Sequence, residues 1–214
     1  MIKLKSMLTE LTQHQKELKK DYLFQQSKLR SSNAVPSWTE MWKSILHSDG
    51  VKDVLRDMRD DVLRDGGSDS DFDEKEAIEQ VEDEQRHRYF EIVQEYKHID
   101  GDRCWREIVI PRQVDPRRLT QIGVYWAITD TAAEAHWAGH SGKPKLNCIY
   151  EGVINTDIVD WAGTMFARMD YSLGDMEQEI RFLKNSKLFV KYVKVYNDME
   201  DGVQIHQLNR EIRL

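Results

Sequence analysis

Two carboxylates stand two positions apart at Glu177 and Glu179, with Gln178 between them and Ile180 and Phe182 following. On a β-strand alternate side chains share a face, so this spacing projects both carboxylates into one cleft while Ile180 and Phe182 turn inward. Such a pair can divide its work: one carboxylate steadies a cationic sugar transition state, and the other orients or deprotonates the attacking group. The same spacing is also the plain solvent face of a strand, and the triplet alone does not choose. Arg106 heads an otherwise apolar run, Arg106-Glu107-Ile108-Val109-Ile110, and shares a face with Ile108 and Ile110. A guanidinium there must find anionic or hydrogen-bonding partners. Its planar fork suits phosphate or ribose oxygens, and equally a structural ion pair with Glu107 or another acid. Gly123-Val124-Tyr125-Trp126-Ala127-Ile128 then carries two aromatics into Thr129-Asp130-Thr131. This reads as a flat pocket wall with hydroxyls at its rim, or as an aromatic core strand ending in an ordinary helix cap.

Other chemistries find less support. His136 and His140 share a helix face at i, i+4, but Trp137-Ala138-Gly139 follows the first histidine where a zincin needs Glu, so no metal is expected. Asp69, Asp71 and Asp73 alternate as in a calcium loop, without the required Gly and terminal Glu in register. There is no P-loop, no Gly-x-Gly-x-x-Gly and no Gly-x-Ser-x-Gly. Cys104 reads as a buried strand residue, and Arg112, Arg117 and Arg118 as a solvated loop that can also meet a phosphate.

The elements that must position these residues change character near residue 100. Residues 1–100 read as a helical region and 101–214 as a small α+β domain of mixed sheet with helices packed on it. In the first thirty residues Leu4, Leu8, Leu11, Leu18 and Tyr22 form a helical stripe, and seven basic residues against three acidic ones give a local charge of +4. That helix can dock on a partner, on an anionic surface or on its own domain. Ser37 and Glu40 form a capping box for a helix to about His47. Another helix runs from about Val51 to Asp65, ended by Gly66-Gly67. An acidic linker at about 66–75 leads into a helix to about His98, with Ile78, Val81, Tyr89, Ile92, Val93 and Tyr96 inward. Strands are expected over Cys104–Ile110, Gly123–Ile128, Lys145–Ile154, Glu177–Leu183 and Lys187–Tyr196, the last two joined at Asn185-Ser186. Helices are expected over Thr129–His140 and Thr156–Met169, and Val203–Leu214 as an added edge strand.

The chain has 214 residues and a net charge of −7, with 40% hydrophobic and 32% charged residues. That length fits one domain with a helical extension, and 6 Trp, 8 Tyr and 6 Phe suffice to fill its core. The acidic balance argues against a broad electrostatic grip on nucleic acid, and no apolar run reaches the ~18–20 residues of a membrane span. Two cysteines, Cys104 and Cys148, 44 positions apart, make neither a disulfide scaffold nor a zinc site and fit a reducing cytoplasm.

Taken in order, an Arg on a first strand, an aromatic strand leading to Thr-x-Thr and a Glu-x-Glu on a late strand resemble the ADP-ribosyltransferase fold, in particular small phage-encoded ADP-ribosyltransferase-like proteins. The resemblance spans roughly residues 103–196. It rests on Trp105-Arg106-Glu107-Ile108-Val109-Ile110-Pro111, Ile122-Gly123-Val124-Tyr125-Trp126-Ala127, Ala132-Ala133-Glu134-Ala135-His136-Trp137 and Glu177-Gln178-Glu179-Ile180, with Asp160-Trp161 and Thr164 between them. It implies transfer of ADP-ribose from NAD⁺, the substrate, with release of nicotinamide. It assigns Arg106 to the dinucleotide phosphates or ribose, Glu179 to the oxocarbenium-like transition state and Glu177 to the acceptor. Tyr125 or Trp126 would stack the nicotinamide, and Thr129 or Thr131 would supply a hydroxyl. The chain departs from arginine-modifying members, which carry Ser-Thr-Ser where Thr129-Asp130-Thr131 stands here. Its Gly-x-Tyr-aromatic-Ala stretch is similar instead to the poly-ADP-ribose polymerase branch, whose first-strand residue is His rather than Arg. The resemblance implies a host protein as acceptor, with nucleic acid open in that role, and a place in the host cytoplasm or packaged in a phage particle. The N-terminal helices would recognise the target or a virion protein. The alternative is an inert phage structural or interaction protein on the same fold.

Overall fold

The computed structural model describes residues 31–131, 145–169, 178–197 and 202–214. The first-thirty-residue helix, the histidine pair and Glu177 lie outside these. Among the described residues there are four α-helices and one six-stranded sheet, helices first and strands after, so the chain is an α+β protein.

Local sequence explains each helix. In α1 (Trp38–Ile45) the Ser37 hydroxyl accepts from the Glu40 amide and Glu40 accepts from the Ser37 amide, closing the expected capping box. Ser48 caps α2 (Asp49–Arg64) by accepting from the Val51 amide, and past its end Gly66 takes a φ of +90° that a side chain resists. In the segment read as an acidic linker, Asp69–Asp71 is a 3₁₀ turn. Ser68 and Asp71 bond there, Arg59 pairs with Asp69 at 2.8 Å, and Asp73 caps α3 (Glu74–Tyr96). Helix α3 buries Ala77, Val81, Gln85, Tyr89, Ile92 and Tyr96, a stripe at three- and four-residue spacing, and leaves its acids to solvent.

The sheet has the order β4-β2-β1-β3-β5-β6, with every ladder antiparallel. Its strands are β1 (Arg103–Pro111), β2 (Tyr125–Ala127), β3 (Lys145–Val153), β4 (Glu179–Arg181), β5 (Lys187–Asn197) and β6 (Val203–Arg213). Helix α4 (Trp161–Met169) packs beside β4. The sheet curls: Gln121, just ahead of β2, forms a parallel bridge with Arg213 at the far edge, and the Ile122 amide donates to the Arg213 carbonyl at 3.3 Å. Inside the curl Trp126, Phe182, Tyr150 and Leu188 share one cluster of buried residues with Met41 and Ile45 of α1 and Tyr89 and Ile92 of α3. The helices and the sheet therefore bury one continuous core.

Several expected boundaries move, each for a local reason. Strand β2 begins at Tyr125 rather than Gly123, because Gly123 has a φ of +81° and the Arg106 guanidinium lies against it. Strand β4 begins at Glu179 rather than Glu177, because Gln178 sits in left-handed backbone with a φ of +35°. The single long helix expected over Thr156–Met169 divides into a 3₁₀ turn at Thr156–Ile158, an extended Val159 bridged to Phe182, and α4. The split falls at Asp160, whose carboxylate accepts from the Gly163 amide at 3.2 Å and so starts a new helix. The strands on either side of Asn185-Ser186 do not pair with each other: β4 pairs with β2, and β5 with β3.

Gly152 lies at a close approach of four strands in the curl. A Cβ there would lie 2.7 Å from Leu188 Cδ2, 3.2 Å from Trp126 Cζ3 and 3.3 Å from Cys104 Sγ, and all three neighbours are buried. Gly152→Ala is expected to destabilise the chain by about 1–3 kcal/mol, read as a lower urea midpoint. An unchanged midpoint would show that strands β1, β2, β3 and β5 do not converge there.

Candidate functional site

The registers decide which side chains share a face. Tyr125 stands opposite Arg181, Ala127 opposite Glu179, and Trp105 opposite Ala127. Paired residues in an antiparallel ladder point the same way, so Glu179, Arg181, Tyr125 and Trp105 lie on one face. Glu179 and Tyr125 are diagonal neighbours on it, about 7–8 Å apart at Cα for that geometry. Trp126 is on the other face, 2% exposed, with its ring edge-on to Phe182 and its indole N–H donating to the Gly123 carbonyl at 3.0 Å. Of the two candidate stacking rings, Trp126 belongs to the core and Tyr125 to the site face.

Arg106 belongs by alternation to the core face of β1, and its guanidinium reaches across to the main chain of β2. The β1–β2 ladder pairs at Trp105 and Ala127, next to the residue that bears this guanidinium. Its Nη1 donates to the Tyr125 carbonyl, and Nη2 lies so near Gly123 that a Cβ there would come within 2.9 Å. Burial pulls its pKa below the ordinary guanidinium value, while the nearby Glu179 and Tyr125 push it back up. Tyr125 and Glu179 therefore share one face of adjoining strands, and Arg106, 73 positions before Glu179, meets the Tyr125 main chain from the core face.

Beyond β2 the Ile128 amide donates to the Gln178 carbonyl at 3.0 Å, which brings Thr129 beside the start of β4. A helical turn opens at Asp130, where the Thr131 amide donates to the Asp130 carboxylate at 2.9 Å and the Thr131 hydroxyl lies 3.4 Å from that of Thr129. Thr129 is half-buried and Thr131 exposed, which suits a hydroxyl rim. Glu177 lies outside the described residues, and because Gln178 leaves the extended conformation, strand alternation reaches back only to Glu179.

Glu179 is held from three sides. Ile180 is fully buried behind it. The Arg181 amide donates to the Thr164 hydroxyl at 2.9 Å, tying β4 to α4. The Tyr96 hydroxyl, at the end of α3, donates to the Glu179 carbonyl at 3.1 Å and accepts from Arg168 at 2.9 Å. Arg168 in turn pairs with Glu95 at 3.0 Å. These contacts engage the backbone of Glu179 and fix where its carboxylate is presented. Tyr96 was legible as an inward helix residue, but its hydroxyl partner on β4 was not.

Arg181 is the residue that the sequence reading passed over, although its place two residues after Glu179 puts it on the same strand face. Its guanidinium lies 5.3 Å from the Tyr125 ring centroid, and its Nε is 3.1 Å from the carboxylate of Asp160, which is 2% exposed. Among the described residues no cluster of three metal-ligating side chains occurs, and no helix is long and apolar enough to cross a membrane. Cys104 and Cys148 are buried and unbridged, and burial pushes the Cys148 thiol up to about 12 and that of Cys104 well above its ordinary value.

Burial likewise raises the phenol of Tyr96 to about 12, with Arg168 pulling it partly back, and raises those of Tyr89 and Tyr150. A phenol raised in the folded chain stabilises it below the unfolded value near 10, and that contribution is lost as pH climbs through the folded value. In an alkaline titration followed by phenolate absorbance, Tyr89, Tyr96 and Tyr150 are expected to ionise above the ordinary phenol value, together with loss of the fold. Ionisation of Tyr96 near pH 10 in a chain still folded would contradict the packing around it.

Comparison of the chain with protein-family models, with curated proteins and with solved structures gave no match. What the fold and site define directly is an α+β protein with a buttressed carboxylate, an aromatic ring and two guanidinium groups at one end of its sheet.

Proposed function

We propose that this chain is a mono-ADP-ribosyltransferase that moves ADP-ribose from NAD⁺ to a host target and releases nicotinamide. The observation that supports the reading is Tyr125 and Glu179 on one face of adjoining strands, with the Arg106 guanidinium bonded to the Tyr125 carbonyl. Nicotinamide leaves with the electron pair of its bond to the ribose C1′, and the acceptor nucleophile bonds to that carbon and gives up a proton. Nicotinamide is a good leaving group, so the main demand is fixed negative charge beside the developing oxocarbenium ion, which Glu179 meets. Tyr125 offers the aromatic face, Thr129 and Thr131 the rim hydroxyls, and Arg106 and the backbone it braces shape the dinucleotide side. Glu177 takes the acceptor in this scheme, and the N-terminal helical region selects the target, in the host cytoplasm or from a phage particle.

Incubation with labelled NAD⁺ and host lysate is expected to release nicotinamide and to label one or a few macromolecules, with nuclease and protease digestion separating nucleic acid from protein. A second reading, an inert structural or interaction protein of a phage particle on the same fold, is favoured by one observation: the Arg106 guanidinium is already spent on the Tyr125 carbonyl. Under that reading there is no label and no nicotinamide. Capture of a partner would then be lost on deleting residues 1–30.

A further inference from the structure

Arg181 sits on the candidate site's face as a cation built into place from several directions. Asp160, 2% exposed, forms an ion pair with its Nε at 3.1 Å and accepts hydrogen bonds from the amides of Ser32 at 3.1 Å and Gly163 at 3.2 Å. The first turn of α4 closes on this pair without side-chain bulk: a Cβ on Gly163 would come within 2.7 Å of Arg181 Cδ and 2.9 Å of Asp160 Oδ2. The Tyr125 ring lies beneath the guanidinium at 5.3 Å. Its backbone is fixed too, with the Arg181 amide donating to Thr164 and the Arg181 carbonyl accepting from the Asp160 amide at 2.7 Å. The two arginines differ in what surrounds them. Arg106 is bonded to the Tyr125 main chain from the core face, whereas Arg181 keeps 20% of its side chain exposed on the face that carries Glu179.

A strongly oriented guanidinium next to an aromatic ring and a carboxylate suits an anion that must be held in one register, because the planar fork binds phosphoryl oxygens in pairs. We propose that Arg181, oriented by Asp160, binds the pyrophosphate of the dinucleotide and so sets the distance between the bound ribose and Glu179. The proposal rests on the NAD⁺ reading above. Asp160 is a positioning residue here, acting through Arg181, and Tyr125 serves the cation and the nicotinamide from the same ring system.

Calorimetric titration of the full chain with NAD⁺, ADP-ribose and nicotinamide riboside tests this, since only the first two carry the pyrophosphate. Arg181→Gln is expected to weaken NAD⁺ and ADP-ribose binding tenfold or more and to leave nicotinamide riboside unchanged. Because that change strands a buried carboxylate, Asp160→Asn/Arg181→Gln removes both charges together and is expected to give the same selective loss. Arg181→Lys keeps a charge for Asp160 without the fork and is expected to weaken ADP-ribose as well. Folded variants that bind ADP-ribose as the parent does, or that lose all three ligands equally, overturn the proposal while leaving the NAD⁺ reading standing. A parent chain that binds none of the three overturns both.

Discussion

Glu179→Gln is expected to lower nicotinamide release from NAD⁺ roughly 100- to 1,000-fold, the range seen when one preorganised electrostatic contact to a transition state is removed. The substitution keeps the size and shape of the side chain while deleting the charge and turning one acceptor oxygen into an amide donor. Backbone bonds and Ile180 hold this stretch of β4, so the variant is expected to remain folded. The separation of the two readouts is what matters. Loss of activity together with loss of the fold would make Glu179 a structural residue, and full activity in a folded variant would remove it from the chemistry.

Asp160→Ala carries the largest expected cost in stability. The carboxylate joins three parts of the molecule: the Ser32 amide, the first turn of α4 and the guanidinium of Arg181. Breaking a buried ion pair from one side leaves the other charge uncompensated, at about 3–5 kcal/mol, and the partial exposure of Arg181 places this case near 3 kcal/mol. For a chain of this length that is a fall in melting temperature of about 6–12 °C. Asp160→Asn keeps an acceptor for both amides and should cost less. If Asp160→Ala melts with the parent, the Asp160–Arg181 pair does not lock β4 to α4, and the buttressing of Glu179 must lie elsewhere.

The legible parts of this molecule are those where a local rule and the tertiary fold agree. Ser37 and Glu40 announce a helix start because a capping box is completed within four residues. Residues 103–111 and 145–153 read as strands because their β-branched and aromatic runs pack against neighbours across long ladders. The short strands β2 and β4 were placed but overrun, since their ends are set by contacts from distant chain: the Arg106 guanidinium against Gly123, and the left-handed backbone at Gln178. Likewise Asp160 interrupts what periodicity alone makes one helix, because its partners Ser32 and Arg181 are 128 and 21 positions away.

For the candidate site, residue types carried more than positions did. Arg106, Tyr125 and Glu179 were named from strand pattern and resemblance; Tyr125 and Glu179 share one strand face, and Arg106 reaches the Tyr125 carbonyl from the core face. Trp126, also named, faces the core, as alternation next to Tyr125 requires once the face of either is known. Arg181 was within reach of the same rule, being two residues beyond Glu179. Its anchoring by Asp160 was not, because no local spacing links β4 to the start of α4.

The most direct test of the central claim is a crystal structure with a non-hydrolysable NAD⁺ analogue. The account predicts the nicotinamide ring against Tyr125, the adjoining ribose within hydrogen-bond reach of the Glu179 carboxylate, and Arg106 and Arg181 flanking the dinucleotide. A dinucleotide bound on another surface, or crystals that take up none at saturating concentration, would contradict it.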